Sequence, residues 1–435
     1  MKISLFQGVL LGVFGLAALI GLFVFATYTS DGSKEDAVGA VVIWGTLPKE
    51  GVQSALVEIA KSATALKSVS YVQKDSATLQ NDLAAAIATG AAPDLVLASQ
   101  EELHAIAKFI MPIPSSTLSA AAFTNTFIGE GELFAAPDGY YGIPFLVDPL
   151  VLFSNRSLLA SNGIARPPAT WEALTGLVPG TAVLTPARQI TRGLIALGTY
   201  DNVHNARGIL STLFLQTGAP ISSYSFSGDL VADLGEKLSG GAGAPVGQAV
   251  LGFYTQFADP SKVSYTWNAS LPDSQQAFLA GDLALYIGYA SEARFFAAAN
   301  PNLTFGVAPL PQPATAETKS VYGLVYAFMI PNGAKNASGA YQAAALLTNL
   351  EEQAVAAAET GLAPTVLNGL AVAPDDPVAA VAYAEALYAK GWLSPLPADT
   401  DVVFSSMIGG VISGRSTLAA ALASAGRSLN ALLQQ

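Results

Sequence analysis

The 435-residue sequence contains no cysteine and only two histidines, His104 and His204. Without cysteine there is no disulfide, no thiol nucleophile, no thiolate-bound metal and no lipid attachment through an N-terminal cysteine. The histidines stand in unrelated local settings, with no i,i+4 partner and no HExxH context, so no metal site is read from them. Charge is scarce as well. Charged residues make up 12% of the chain, about half of the usual roughly 25%. Against 32 Asp+Glu stand 20 Lys+Arg, for a net charge of −12. Basic residues form no cluster, which excludes a nucleic-acid footprint, and an acidic surface disfavours adsorption to anionic lipid. GxSxG, GxxxxGK[ST] and a GxGxxG after the first strand are also missing, which weakens hydrolase, P-loop and Rossmann readings. The glycine-rich "SGGAG" sits between helices and reads as a plain loop.

What is abundant is apolar and small. Hydrophobic residues make up 51% of the chain, and Gly alone contributes 40 positions. The length exceeds one ordinary core, so two lobes are expected. After Lys2 no charge appears until Asp31. A bilayer takes about 20 apolar residues as a helix, whereas a secretory core is about 7–15. Residues 1–28 therefore read as a membrane anchor or signal segment, with an uncleaved transmembrane helix preferred. Lys2 places its N-terminus inside, and cleavage after Val24-Phe25-Ala26 is the alternative. Residues 29–38, "TSDGSKEDAV", form a polar tether.

Beyond the tether the pattern alternates. "AVVIWGT" is a strand, "SALVEIAKSATAL" a helix with Leu56, Ile59, Ala60 and Ala63 on one face, and "SVSYVQK" a second strand. "SATLQNDLAAAIATG" is a helix capped at Ser76 or Thr78 and ended by Gly90, and "DLVLAS" is a third strand. Such spacing means α/β with a parallel sheet, whose ligands lie beyond the carboxyl ends of the strands. A second α/β pattern follows Asn155, with helices at "RSLLASNGI", at "PPATWEALTGL" capped by Thr170, and at "ARGILSTLFLQTGA". Further on come the strand "DLALYIGYA" and an amphipathic helical pair between Pro331 and Gly361.

Trp44 and Glu101 follow two of the strand ends. Aromatic residues recur near turns (Trp44, Tyr140, Tyr141, Tyr254, Trp267, Tyr286, Tyr289, Tyr322), where rings bury sugar faces, although core packing is the default for any single one. Asp148 interrupts the apolar run "YGIPFLVDPLVLFSN" between Pro144 and Pro149, which makes poor sense for a buried strand. A glycoside hydrolase would need two acids across one bond, and Asp148 with Glu101 is the available pair.

The segment "GYYGIPFLVDPLVLFSNRSLLASNGIARPPATWEAL" resembles the most recognisable stretch of the family 1 extracellular solute-binding proteins, whose best-known member is maltose-binding protein. "GLIALGTYDNVHNARGILSTLFLQTGA", "SQQAFLAGDLALYIGYASEARFF", "FGVAPLPQP" and "VISGRSTLAAALASAGRSLNALL" continue the likeness in order over residues 38–435. The resemblance implies a two-lobed periplasmic-binding-protein-like fold with an inter-lobe cleft. Lobe I would be 39–146 with 305–370 and lobe II 147–304 with 371–435. The crossings would fall near Pro144–Asp148, Asn302–Gln312 and Leu362–Pro374. It further implies a non-enzymatic, monomeric carbohydrate binder without cofactor or metal, delivering an oligosaccharide to the permease of an ABC importer whose ATPase is another chain. The protein would then stand on the extracytoplasmic face of the membrane, anchored by the N-terminal helix, or be secreted if the segment is cleaved. A surface sensor or adhesion module on the same fold is the other non-enzymatic alternative. Carried onto this sequence, the ligand-binding candidates are Asp148, Trp44, Glu101, Tyr289, Tyr322 and Asp401, and Asn155 as a motif residue that also suits a helix cap.

Overall fold

A computed structural model describes residues 38–226, 228–235 and 246–434. The anchor or signal segment, and all of the tether except Val38, lie outside the described residues. Among those described, no helix is long and apolar enough to cross a membrane.

Eleven strands form the main sheet. The first half follows the expected winding, with Val41–Gly45 pairing in parallel with Val69–Gln73 on one side and Leu95–Ser99 on the other. Helix Lys49–Ser62 buries Val52, Ala55, Leu56 and Ile59, the i, i+3, i+4, i+7 stripe that an amphipathic helix presents to a sheet. Helix Ser76–Ala88 is capped by Asp75, whose carboxylate accepts from the Ala77 amide at 3.0 Å. The cap is thus one residue before the positions read in the sequence, and Ser76 instead donates to Glu102 at 2.6 Å. Gly90, at φ +68°, ends this helix where a side chain would be strained.

The largest departure from expectation is the run containing Asp148. Gly142–Asn155 is one continuous strand, buried at every position. Its first part pairs antiparallel with Val321–Met329, and Leu150–Ser154 pairs antiparallel with Leu283–Tyr289. A single strand therefore carries the chain from one half of the sheet to the other. Burying each of its Phe, Leu and Val side chains stabilises by about 1.5–3 kcal/mol. The prolines are tolerated for specific reasons. The register against Val321–Met329 slips so that Tyr326 faces Leu146 and Ala327 faces Pro144, a bulge that absorbs the missing N–H. The Pro144 carbonyl accepts from Gln353 Nε2 at 3.2 Å. Pro149 stands where one partner strand is exchanged for the next, and its carbonyl accepts from the Ala290 amide at 3.0 Å.

In the second half, Ile190–Ile195 pairs in parallel with Leu283–Tyr289. Phe305–Ala308 pairs with Leu152–Asn155, and Ala389–Lys390 with Val321–Tyr322. One hydrophobic cluster lies on one face of the first half, built on Ile43, Leu97, Ile59 and Phe145. A second runs without interruption from Leu83 and Val96 through Val147 and Leu150 to Leu210, Phe278 and Trp267. Gly208 is required for this packing, because a Cβ there would stand 2.9 Å from the Tyr289 hydroxyl and 3.2 Å from Leu150. Of the aromatic residues noted near turns, Tyr254, Trp267, Tyr286 and Tyr322 are fully buried side chains, and Tyr140 stacks on Phe123 at 3.7 Å.

Candidate functional site

Strand Leu95–Ser99 runs directly into helix Gln100–Ile106. Ser99 caps it in a capping box: Glu102 accepts from the Ser99 amide at 2.9 Å, and the Glu101 amide donates to Ser99 Oγ at 3.2 Å. Reciprocal capping satisfies orphan amides and holds the first turn rigid. That turn presents Gln100 and Glu101, both buried. Gln100 is spent on the backbone of the neighbouring strand, donating to the Gly323 carbonyl at 2.9 Å and accepting from the Val325 amide at 2.8 Å.

Glu101 faces across to Arg207, in the first turn of helix Ala206–Gln216. Nε donates to Oε1 and Nη2 to Oε2, both at 2.9 Å, the bidentate geometry that makes Arg–carboxylate pairs strong. Arg207 Nη1 also donates to Asp401 Oδ2 at 2.6 Å and to the Pro397 carbonyl at 3.3 Å. Tyr200 donates to Asp401 Oδ1 at 2.5 Å, and Tyr322 donates to Glu101 Oε1 at 2.5 Å. Burial opposes the charge on Arg207, but Glu101 and Asp401 outweigh it and hold the guanidinium well above its ordinary pKa. Burial, with Asp401 in addition, raises the Tyr200 hydroxyl. Burial, with Glu101 in addition, raises Tyr322.

Beside this network opens a cavity of about 380 Å³, walled by Tyr200, Asp201, His204, Arg207, Asp273, Tyr289 and Asp401 among others. His204 Nδ1 lies 3.6 Å from Asp273 Oδ2. The turn that presents Tyr289 is held by Glu292, which accepts from the Tyr289 amide at 2.8 Å, Asn205 at 2.8 Å, Gln275 at 2.9 Å and Tyr286 at 2.6 Å. No group of three or more His, Asp or Glu suited to a metal ion occurs among the described residues.

The structure brings together Glu101, Tyr322 and Asp401 in one network, with Tyr289 on the cavity wall beside Arg207. Asp148 is buried, and its Oδ1 accepts from the Ser291 amide at 3.1 Å. Burial first, and Glu292 in addition, raise its pKa to about 7 against the pull of the Ser291 bonds. Trp44 is not joined to the network; its ring lies 3.9 Å beneath Lys74 Nζ. Asn155 caps helix Arg156–Ser161 through a 3.1 Å bond to the Leu158 amide. It stands seven residues beyond Asp148 on one strand, about 23 Å away at roughly 3.3 Å per residue. Arg207, Tyr200 and Glu292 escaped the sequence reading. A signal for Arg207 was present, since it is the lone charge opening the helix "ARGILSTLFLQ", whose next seven residues are buried.

One buried acid stands apart. Among the described residues neither oxygen of Glu130 has a hydrogen-bond partner, burial pushes its pKa well above the ordinary value, and Gly391 and Gly323 supply the space it fills. An unpartnered buried polar group costs about 1–3 kcal/mol. Glu130→Leu, close in volume, is therefore expected to stabilise the chain by that order in urea denaturation at pH 7. A loss of stability would show that the carboxyl is satisfied in solution.

The fold has many solved counterparts. A cyclo/maltodextrin-binding protein complexed with maltotetraose shares 18% identity at a TM-score of 0.71, covering 94% of this chain and 99% of its own. The cyclic alpha-maltosyl-1,6-maltose binding protein from Arthrobacter globiformis shares 16% at a TM-score of 0.71, covering 91% and 99%. The GacH receptor of Streptomyces glaucescens GLA.O shares 16% at a TM-score of 0.67, covering 91% and 98%. Identities this low establish the two-lobed α/β fold alone. No curated protein matches the sequence. Residues 55–385 match the family described as bacterial extracellular solute-binding protein, and the chain belongs to that family.

Proposed function

We propose that this chain is the carbohydrate-binding component of an ABC importer, closing its two lobes over an oligosaccharide and presenting it to a membrane permease. The observation that carries the reading is the cavity of about 380 Å³ beside a polar bridge, Glu101–Arg207–Asp401, that spans the two halves of the sheet. Tyrosine faces and fixed carboxylates are the two kinds of group a sugar needs, one for its apolar face and one for its hydroxyls. The neighbouring folds that hold maltotetraose and acarbose support the same ligand class. Lobe I takes 39–146 with the strand Val321–Met329 and the helices to 370, and lobe II takes 147–304 with 371–435. The pairing of Phe305–Ala308 with Leu152–Asn155 supports a second crossing that follows Ala308.

Asp401, Tyr289 and Arg207 then contact ligand, Glu101 and Tyr322 position Arg207, and Asp148 sets the crossing strand against the turn at Ser291. Trp44 and Asn155 serve packing and capping. The hydrolase reading loses its second acid, because both Glu101 oxygens are engaged by Arg207 and Tyr322. Family membership places the protein outside the cytoplasm, and residues 1–28 would tether it there beside its permease. Ligand binding to the folded state raises its melting temperature by mass action. A thermal-shift screen with neutral mono- and oligosaccharides, polyols, peptides and glycerol phosphates is expected to single out sugars. Tyr289→Phe, which removes a hydroxyl with no partner among the described residues, should weaken the best sugar by about 3- to 10-fold at the usual value of one hydrogen bond. Stabilisation by a peptide or polyol, and by no sugar, would overturn the reading.

A further inference from the structure

The carbohydrate reading leaves open which sugars the site accepts, and the charges around the cavity bear on that. Among the described residues, Arg207 is the single Lys or Arg on the cavity wall. A guanidinium has five N–H donors, and four hydrogen bonds already run from Arg207 to Glu101, Asp401 and the Pro397 carbonyl. An anionic ligand would have to displace a bidentate carboxylate to reach it. The aspartates of the wall are engaged too, Asp401 by Arg207 and Tyr200 and Asp273 by the Gln275 amide, but they stay open to the cavity. Asp401 and Asp273 keep 44% and 31% of their side-chain surface in solvent, and Asp201 is bound through one oxygen alone, by Ser405 at 2.7 Å. Asp201, Asp273 and Asp401 therefore face the cavity against one guanidinium, already held by both Glu101 and Asp401, and against His204, whose Nδ1 lies 3.6 Å from Asp273. Tyr289 adds a hydroxyl with no protein partner among the described residues, beside a ring able to lie against a cation.

Resting on the carbohydrate reading, we propose that the site selects sugars by charge, preferring an amino sugar in its ammonium form over its neutral counterpart and rejecting uronic acids and sugar phosphates. The ammonium offers three donors to Asp201, Asp273 and Asp401 and takes no acceptor capacity from the wall. Because these carboxylates are partly exposed, the attraction is screened by salt.

The test is isothermal titration with matched oligosaccharide triads that differ at one position: glucosamine, glucose and glucuronate. At 20 mM salt the amine member is expected to bind at least tenfold more tightly than the neutral one, and the uronate more weakly than both. The gap should shrink severalfold at 0.5 M salt, and the double substitution Asp201→Asn, Asp273→Asn should close it while the neutral sugar still binds. Equal binding of amine and neutral members, tightest binding of the uronate, or a gap untouched by the aspartate substitutions would each overturn charge selection while leaving the carbohydrate reading in place. Failure of every member to bind, with a non-sugar binding instead, would overturn both.

Discussion

Replacing Arg207 by Met should lower the folding stability by about 3–5 kcal/mol, the usual consequence of stripping one partner from a buried ion pair. The Glu101 side chain is 4% exposed and that of Arg207 20% exposed, so removing the guanidinium leaves a carboxylate in a low-dielectric setting with only Tyr322 to hold it. Glu101→Gln should cost less, because Arg207 keeps Asp401 and the Pro397 carbonyl. The double variant Glu101→Gln, Arg207→Met should recover much of the loss, since neither charge is then left unpaired. Urea denaturation of the four proteins closes a double-mutant cycle, and a coupling above about 1.5 kcal/mol is expected for a close, desolvated pair. A single Arg207→Met loss below about 1 kcal/mol would mean that water already reaches Glu101 and that the bridge opens readily. The bridge also ties the two halves of the sheet together, so Arg207→Met should expand the unliganded particle in small-angle scattering.

Why Arg207 was missed while Glu101 was found shows which information a linear sequence carries. Glu101 follows a strand end, and strand ends in a parallel sheet point at the ligand side by topology alone. The helix caps at Thr170 and Asn155 were legible for a similar reason, since capping is settled within a few residues of sequence. Arg207 lies 106 positions from Glu101, and no local pattern states that the two will meet. The crossing strand is a subtler case. Prolines in Gly142–Asn155 argued against a buried strand, and the argument was sound for an ordinary ladder. A slipped register at Pro144 and an exchange of partner strands at Pro149 make the difference, and both are properties of the neighbouring strands rather than of the run itself. Trp44 shows the opposite failure. It lies inside the strand Val41–Gly45 rather than past its end, and its ring is taken by Lys74, a contact that strand order does not reveal.

Above pH 7 the chain should be less stable than at pH 4.5 on account of two buried carboxyls, and Glu385→Gln should remove one share of that loss. Burial raises Glu385 from 4.5 to about 7, partly offset by the Leu310 amide bond and by Lys319. Asp148 is raised from 3.8 to about 7, again by burial first. For an acid whose folded pKa is raised, the folded state holds more protons than the unfolded one between the two values. Stability is then full below the unfolded pKa, falls as pH rises toward 7, and levels off above it. At 1.36 kcal/mol per pKa unit, Glu385 accounts for about 3 kcal/mol and Asp148 for about 4 kcal/mol. Other groups titrate in the same range, so the informative quantity is the difference between variant and parent. Glu385→Gln keeps an acceptor for the Leu310 amide, which Glu385 now receives at 3.2 Å. Its stability should match the parent at pH 4 and exceed it by about 3 kcal/mol at pH 8.5. Both carboxyls brace stretches that carry the chain between the halves of the sheet, Leu310 after the strand Phe305–Ala308 and Asp148 within Gly142–Asn155. The same deprotonation should therefore favour an open cleft, seen as weaker sugar binding at pH 8.5 than at pH 6 in the parent and as a smaller difference in Glu385→Gln. A parent whose stability is flat between pH 4.5 and 8.5, with no gain in the variant, would show that water solvates these carboxyls in the folded protein.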